Sequence, residues 1–204
     1  MPRSGAKTRE RIIDAAQALV YRHGFSATSI DKVIADAEIT KGAFFYHFKT
    51  KAELGRALIR RYAERDLGHL DRTLQRAEKL SRDPAQQSLI FIGLLQEDVE
   101  ALPDPIPGCL FTSYLYERAE YPDDVADIAA ETLDQWCRRV ARKFEEALGT
   151  GACVGGATPE NLALTLLALI EGGFVLAKAQ GDATVMTDLL GQFRARLEGL
   201  LAEG

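Results

Sequence analysis

Cysteine is scarce in this chain. There are three, Cys109, Cys137 and Cys153, with no CxxC pair and no metal-ligand spacing. A sparse, odd count argues against a disulfide framework and fits reduced thiols in a cytosol. The three histidines, His23, His47 and His69, show no paired spacing. No Ser/His/Asp grouping is legible, and the glycine-rich stretch Gly149 to Gly156 has no lysine or Ser/Thr pattern that would make it a phosphate cradle. It reads as a linker. No catalytic residue, metal or cofactor is therefore expected. Long hydrophobic runs are also missing. The longest, Leu162 to Ile170, is about half of what a membrane span needs. The N-terminus, MPRSGAKTRER, is polar and basic without a signal-peptide pattern, so the expectation is a soluble, cytoplasmic protein. No segment shows strand-like alternation, which leaves an all-α fold of about nine helices.

Charge is unevenly spread. The net charge of −5 over 204 residues hides a basic head and an acidic remainder. Residues 1–65 hold 13 Lys+Arg against 7 Asp+Glu, and the rest holds 12 against 23. A basic module on an acidic body suits binding of a polyanion by the head alone.

Helical periodicity and breakers divide the chain. Residues 1–6 read as a basic arm. Helix 1 spans about Lys7 to His23 on a stripe of Ile12, Ile13, Ala16, Leu19 and Val20, with Gly24 as its terminator. Thr28 or Ser29 caps helix 2. Helix 4 starts near Thr50 and has no break before Asp83-Pro84, a length that makes it a connector. Helix 5 runs from Pro84 to about Leu102. Three prolines between Leu102 and Gly108 force a loop. Helix 6 follows, about Cys109 to Glu120, and helix 7 covers about Asp123 to Leu148. Thr158-Pro159-Glu160 is a strong start for helix 8, which is apolar nearly all round to about Gln180. Helix 9 covers about Thr184 to Leu201. The domains expected are 1–55 and 56–204.

The most informative stretch is Ile30 to Leu54. Ile30, Val33, Ile34 and Ala37 give one short helix an apolar face. Ala37-Glu38-Ile39 breaks it, and Thr40 caps a second helix, Lys41 to His47. That helix has about two turns and is too short to be stable alone. It carries Gly42, which costs about 1 kcal/mol against alanine, and a row from Phe44 to Phe48 that cannot all face a core. Entry of a short helix into a DNA major groove asks for such a combination.

From Thr28 to Leu54 the chain closely resembles the helix-turn-helix of TetR-family transcriptional regulators. The shared signature is Ile39-Thr40-Lys41-Gly42, then Phe44-Phe45-Tyr46-His47-Phe48, then Lys49-Thr50-Lys51 and Leu54. The stretch Thr8 to Phe25 resembles the family's first helix. The resemblance implies a homodimeric, ligand-responsive DNA-binding regulator, and most simply a repressor that leaves a palindromic operator when an unknown small molecule fills a pocket in the C-terminal domain. It implies Thr28, Ser29, Thr40, Lys41, Gly42, Ala43, Phe45, Tyr46, His47 and Lys51 at double-stranded DNA, with Phe44 and Phe48 structural. Lys41 would reach a base or a phosphate. Phe45 stands where the family usually has tyrosine, and is either core or a thymine-methyl contact. Helices 8 and 9 would pair across a dimer through Leu162, Leu166, Ile170, Gly173, Leu189, Phe193 and Leu197. Candidate walls of the effector pocket are Cys109, Phe111, Tyr114, Trp136 and Phe174. Cys109 reads either as a thiol activated at a helix N-terminus or as a small buried apolar residue. The alternative from another class is a small-molecule carrier or enzyme with an incidental basic bundle.

Overall fold

The computed structural model describes residues 3–102, 108–117, 123–149 and 155–203. Within them are nine helices and no extended strand: α1 (Arg3–His23), α2 (Ile30–Asp36), α3 (Lys41–His47), α4 (Lys51–Leu80), α5 (Pro84–Glu100), α6 (Leu110–Tyr116), α7 (Asp123–Leu148), α8 (Pro159–Gln180) and α9 (Thr184–Glu203). The all-α expectation holds. Helix α1 already begins at Arg3, so the expected basic arm is helical from that residue onward. The expected end of helix 6 near Glu120, the proline loop at 103–107 and Cys153 lie outside the described residues.

The helix starts follow from local chemistry. Ser29 caps α2 by accepting from Lys32 N–H, and Thr40 caps α3 by accepting from Ala43 N–H. Thr50 Oγ1 accepts from Glu53 N–H at 3.1 Å while the Glu53 carboxylate takes Lys49 N–H at 2.7 Å. This reciprocal arrangement resembles a capping box and fixes where α4 begins. Asp83 and Thr158 cap α5 and α8, each just ahead of a proline in the first turn. Gly181, at φ 68°, ends α8 in the left-handed region that favours glycine.

The chain divides into two compact units. One joins Met1–Arg65 to Cys109–Glu131, and the other joins Asp66–Gly108 to Thr132–Gly204. The expected boundary at residue 55 falls inside α4 and inside the first unit. In the first unit Ile12 and Ile13 of α1, Val33 of α2, Phe44 of α3, and Leu54 and Leu58 of α4 are buried. Arg61 is buried on α4, and its Nη atoms donate to Glu10, Asp14 and Gln17 of α1. Helix α6 belongs to this unit too. The Tyr114 hydroxyl donates to the Gly55 carbonyl at 3.0 Å, and the Phe111 ring meets Tyr62 edge-on at 4.8 Å. Glu117 accepts from Phe25 N–H at 3.2 Å and from Ser26 N–H and Oγ, both at 2.7 Å. Arg56 forms a two-pronged pair with Asp124 at 2.5 and 3.0 Å. Those hydrogen bonds hold the Asp124 carboxyl below its ordinary pKa.

The second unit is built from the later part of α4, α5, the later part of α7, α8 and α9. Leu70, Phe91, Ile92, Val140, Phe144, Leu166 and Leu197 sit at its centre. Lys143 is buried, and its ammonium reaches Glu78 at 2.7 Å, Glu146 at 2.6 Å and Gln87 at 3.1 Å. A buried cation needs such full pairing. A Cβ on Gly173 would lie 3.0 Å from Met186 Cγ, so glycine there lets α8 and α9 approach.

Most of the stripe expected at a dimer face is turned into the chain's own core. Leu162, Leu166, Gly173, Phe193 and Leu197 are buried inside the single chain, and Ile170 and Leu189 are half-buried. An apolar helix first covers its most continuous stripe against its own neighbours, and here α9 packs against both α8 and α5. The apolar surface left outward on α8 is a different stripe: Leu164, 59% exposed, and Val175, 53% exposed, with Ala168, Gly172 and Ala179 exposed in the same register. On α9 the small residues Ala195, Gly199 and Ala202 are exposed.

Candidate nucleic-acid interface and ligand cavity

The turn between α2 and α3 is fixed from below. Glu38 takes a left-handed φ of 49° there, a position where most side chains are strained. Arg11 of α1 donates to the carbonyls of Ala37 and Glu38. Ile39 N–H returns to Ile34 O at 3.2 Å. Phe44 and Phe48 are buried beneath α3, as expected, with rings 6.1 Å apart. The opposite face of α3 is thereby held outward.

That face carries Lys41, Gly42 and Tyr46, all exposed, with Tyr46 at 77%. Among the described residues the Lys41 ammonium has no hydrogen bond or ion pair. A Cβ added to Gly42 would meet only Thr40 Oγ1, at 3.9 Å, which is ordinary contact distance. Among the described residues, therefore, no neighbour requires glycine there. Ala43 and His47 are half-buried, and the His47 ring stands edge-on to Tyr46 at 4.9 Å. Phe45 is half-buried with its ring against Phe44 at 5.3 Å. Ser29 and Thr40 are exposed, but their side-chain oxygens already accept the capping bonds, leaving the hydroxyl protons to donate outward.

Two expected contacts have other employment. Thr28 is 3% exposed and its hydroxyl donates to Gly24 O at 2.8 Å. It closes the α1–α2 turn, and burial removes it from the surface where a phosphate would lie. The Lys51 ammonium lies 4.3 Å from the Phe25 ring centroid and donates to Ser26 O at 3.2 Å, so it also braces that turn.

Beside α3 a groove of about 650 Å³ is bordered by Arg9, His47, Arg56, Arg60 and Arg65, with Glu10, Glu53 and Glu64 among its acids. Arg9 and Arg60 are cations beside α3 that the sequence reading passed over. A signal existed in the run Arg56, Arg60, Arg61 and Arg65, which recurs at helical spacing on the part of α4 nearest the motif.

The second unit contains an apolar cavity of about 210 Å³. Of the residues expected to wall an effector pocket, Trp136 and Phe174 line it, with Leu70, Val99 and Met186. Cys109, Phe111 and Tyr114 do not. They are buried in the first unit, where Cys109 stands at the start of α6 and the other two pack against the head. Three polar residues join the apolar walls: Asp66, His69 and Asp98. His69 Nε2 and Asp98 Oδ2 are 2.7 Å apart. Burial pushes the Asp66 carboxyl up to about 6, opposed by His69 and assisted by Glu171. The sequence reading missed Asp66, although it interrupts the buried register Ile59, Ala63, Leu70, Ala77 of α4.

An outward-held two-turn helix over a three-helix core, joined to a second all-helical unit with an apolar cavity, defines a helix-turn-helix DNA-binding regulator with a ligand-binding body. Residues 12–58 match the family model for bacterial regulatory proteins of the tetR family, and residues 97–193 match that for the tetracyclin repressor-like C-terminal domain. The transcriptional regulator AcuR of Cereibacter sphaeroides is 28% identical over 171 residues, covering 84% of this chain and 76% of that protein. The transcriptional repressor DhaR of Mycobacterium sp. (strain GP1) is 22% identical over 183 residues, covering 89% and 88%. Among solved structures, a TetR regulator from Chloroflexus aurantiacus superposes with a TM-score of 0.80 at 21% identity, covering 96% of both chains. Reduced NemR of E. coli gives 0.76 at 19% identity, covering 92% of this chain and 95% of NemR. The chain belongs to the TetR family and is a ligand-responsive DNA-binding transcriptional regulator.

Proposed function

We propose that the protein is a cytoplasmic repressor that binds a palindromic operator as a homodimer and leaves it when a small molecule fills the cavity of the second unit. The observation that carries the DNA reading is Gly42. A helix-weakening residue is kept on an exposed face where the fold has room for a side chain. A close partner surface outside the chain accounts for it, and a duplex groove fits the surrounding Lys41, Tyr46 and His47. One two-turn helix reads few base pairs, while two related by a dimer axis read two half-sites a helical turn or a multiple apart. The outward stripe of Leu164, Ala168, Gly172 and Val175 on α8, with Ala195 and Gly199 on α9, supplies a surface of apolar and small residues for that dimer.

Release is a population shift between two dispositions of the reading heads. Helix α5 contributes Val99 to the cavity and leads along the chain to α6, whose Tyr114 and neighbouring Glu117 grip the head. The test is a mobility shift on the DNA upstream of the protein's own gene, across a salt series, followed by transcription from that promoter in vitro. A discrete, salt-sensitive complex of two protomers and falling transcription are expected. Activation of transcription by the bound protein would overturn the repressor reading. Substrate turnover without DNA affinity would overturn the whole of it.

A further inference from the structure

We propose that the cavity of the second unit takes a small lipophilic cation, an amine whose charge sits against the Asp66 carboxylate and whose apolar body lies between Trp136 and Phe174. The regulatory meaning of this inference rests on the reading of the cavity as the effector site.

Asp66 occupies an unfavourable place. Asp66 follows Ile59 and Ala63 and precedes Leu70 on the buried register of α4. A carboxylate there faces an apolar cavity. Among the described residues it has no hydrogen bond or ion pair, whereas the buried charges of Arg61 and Lys143 are bonded by several partners each. An unpaired, partly buried carboxylate weakens the fold, and functional sites are where such costs persist. Burial has already raised its pKa to about 6, the direction expected of a carboxylate lacking a cation.

The rest of the lining selects the sign of the charge. Among the described residues, no lysine or arginine borders the cavity. Its imidazole, His69, is engaged by Asp98 at 2.7 Å, and Glu171 adds a further negative charge near Asp66. Two carboxylates against one imidazole disfavour an anion. Trp136 and Phe174 supply aromatic walls, which attract a cation face-on. The volume of about 210 Å³ corresponds to about seven waters and lies below the usual range for drug-sized ligands. A single-ring or short-chain amine fits.

Trp136 is the sole tryptophan and lines the cavity, so its fluorescence reports occupancy directly. The dimeric full chain is titrated with phenethylammonium, 2-phenylethanol and phenylacetate, which share a ring and differ in charge. The amine is expected to bind at least tenfold more tightly than the alcohol, and phenylacetate more weakly still. Asp66→Asn should erase the preference while keeping the alcohol affinity, which also shows that the variant is folded. As pH falls below about 6, the amine affinity of the native protein should drop by up to tenfold per unit while the alcohol's stays level. Asp98, His69 and Glu171 also face Asp66, and the Asn variant separates their titration from its own. Equal or tighter binding of the alcohol or the acid, no response to the amine, or a preference that survives in Asp66→Asn would overturn the proposal. DNA release is scored separately by mobility shift. Selective amine binding without release would uphold the ligand class and refute the effector reading of the cavity.

Discussion

Replacing Gly42 with alanine should move folding and function in opposite directions. Alanine is better than glycine in a helix by about 0.5–1 kcal/mol. The new Cβ would meet only Thr40 Oγ1 at 3.9 Å, so no clash offsets the gain. For a chain of this size, 1 kcal/mol raises the melting temperature by about 2–4 °C. At the operator the same methyl intrudes on a close contact. Overpacking a well-fitted contact costs about 1–3 kcal/mol, and a dimer carries two copies. Affinity should then fall by about 30-fold or more. The assays are thermal unfolding of the free protein and fluorescence anisotropy on the operator duplex. A higher melting temperature with unchanged affinity would remove Gly42 from the contact. A lower melting temperature would show that the fold itself requires the glycine.

Other perturbations probe separate parts of the account. Lys41→Ala should lower the slope of log affinity against log salt by about 1, while Lys51→Ala should chiefly reduce stability, because its ammonium braces Ser26 and Phe25; anisotropy across a salt series and urea unfolding separate the two. Asp66→Asn should stabilise the protein at pH 8 by on the order of 1–2 kcal/mol after allowance for solvent access. The raised Asp66 pKa means that the native fold binds more protons than the unfolded chain between its ordinary value near 3.8 and about 6, so native stability falls as pH rises through that window and the advantage of the Asn variant should vanish below it. A gap that persists at pH 3.5 in urea titrations would refute the assignment. Leu164→Glu with Val175→Glu should yield folded monomers in sedimentation, whereas an intact dimer would place the interface elsewhere. Glu117→Ala removes three bonds to the α1–α2 turn and should cost about 1 kcal/mol and weaken operator binding, measured by the same unfolding and anisotropy assays.

Local signals carried most of the fold. Proline, glycine and capping residues mark the starts of α3, α5 and α8, because a helix end is decided by a few neighbouring backbone groups. The outward face of α3 was legible for the same reason, since Thr40, Lys41, Gly42 and Tyr46 lie within one short segment. What failed depends on contacts far apart in sequence. Thr28 looked like a surface cap, yet the fold buries it under Gly24 O. Leu162, Leu166, Phe193 and Leu197 looked available to a second chain because α8 is apolar on several sides, and periodicity does not say which side meets the same chain. Phe111 and Tyr114 looked like pocket walls, but their partners Tyr62 and Gly55 lie more than 45 residues away. Asp66 went unnoticed because its meaning depends on a cavity assembled from five helices.

The most direct measurement is selection of duplexes from a random pool by the native protein, with Gly42→Val run in parallel. A two-fold symmetric sequence bound by two protomers is expected, with no enrichment by the variant. An asymmetric or absent consensus, or the same consensus from Gly42→Val, would contradict the claim that α3 reads DNA from a symmetric dimer.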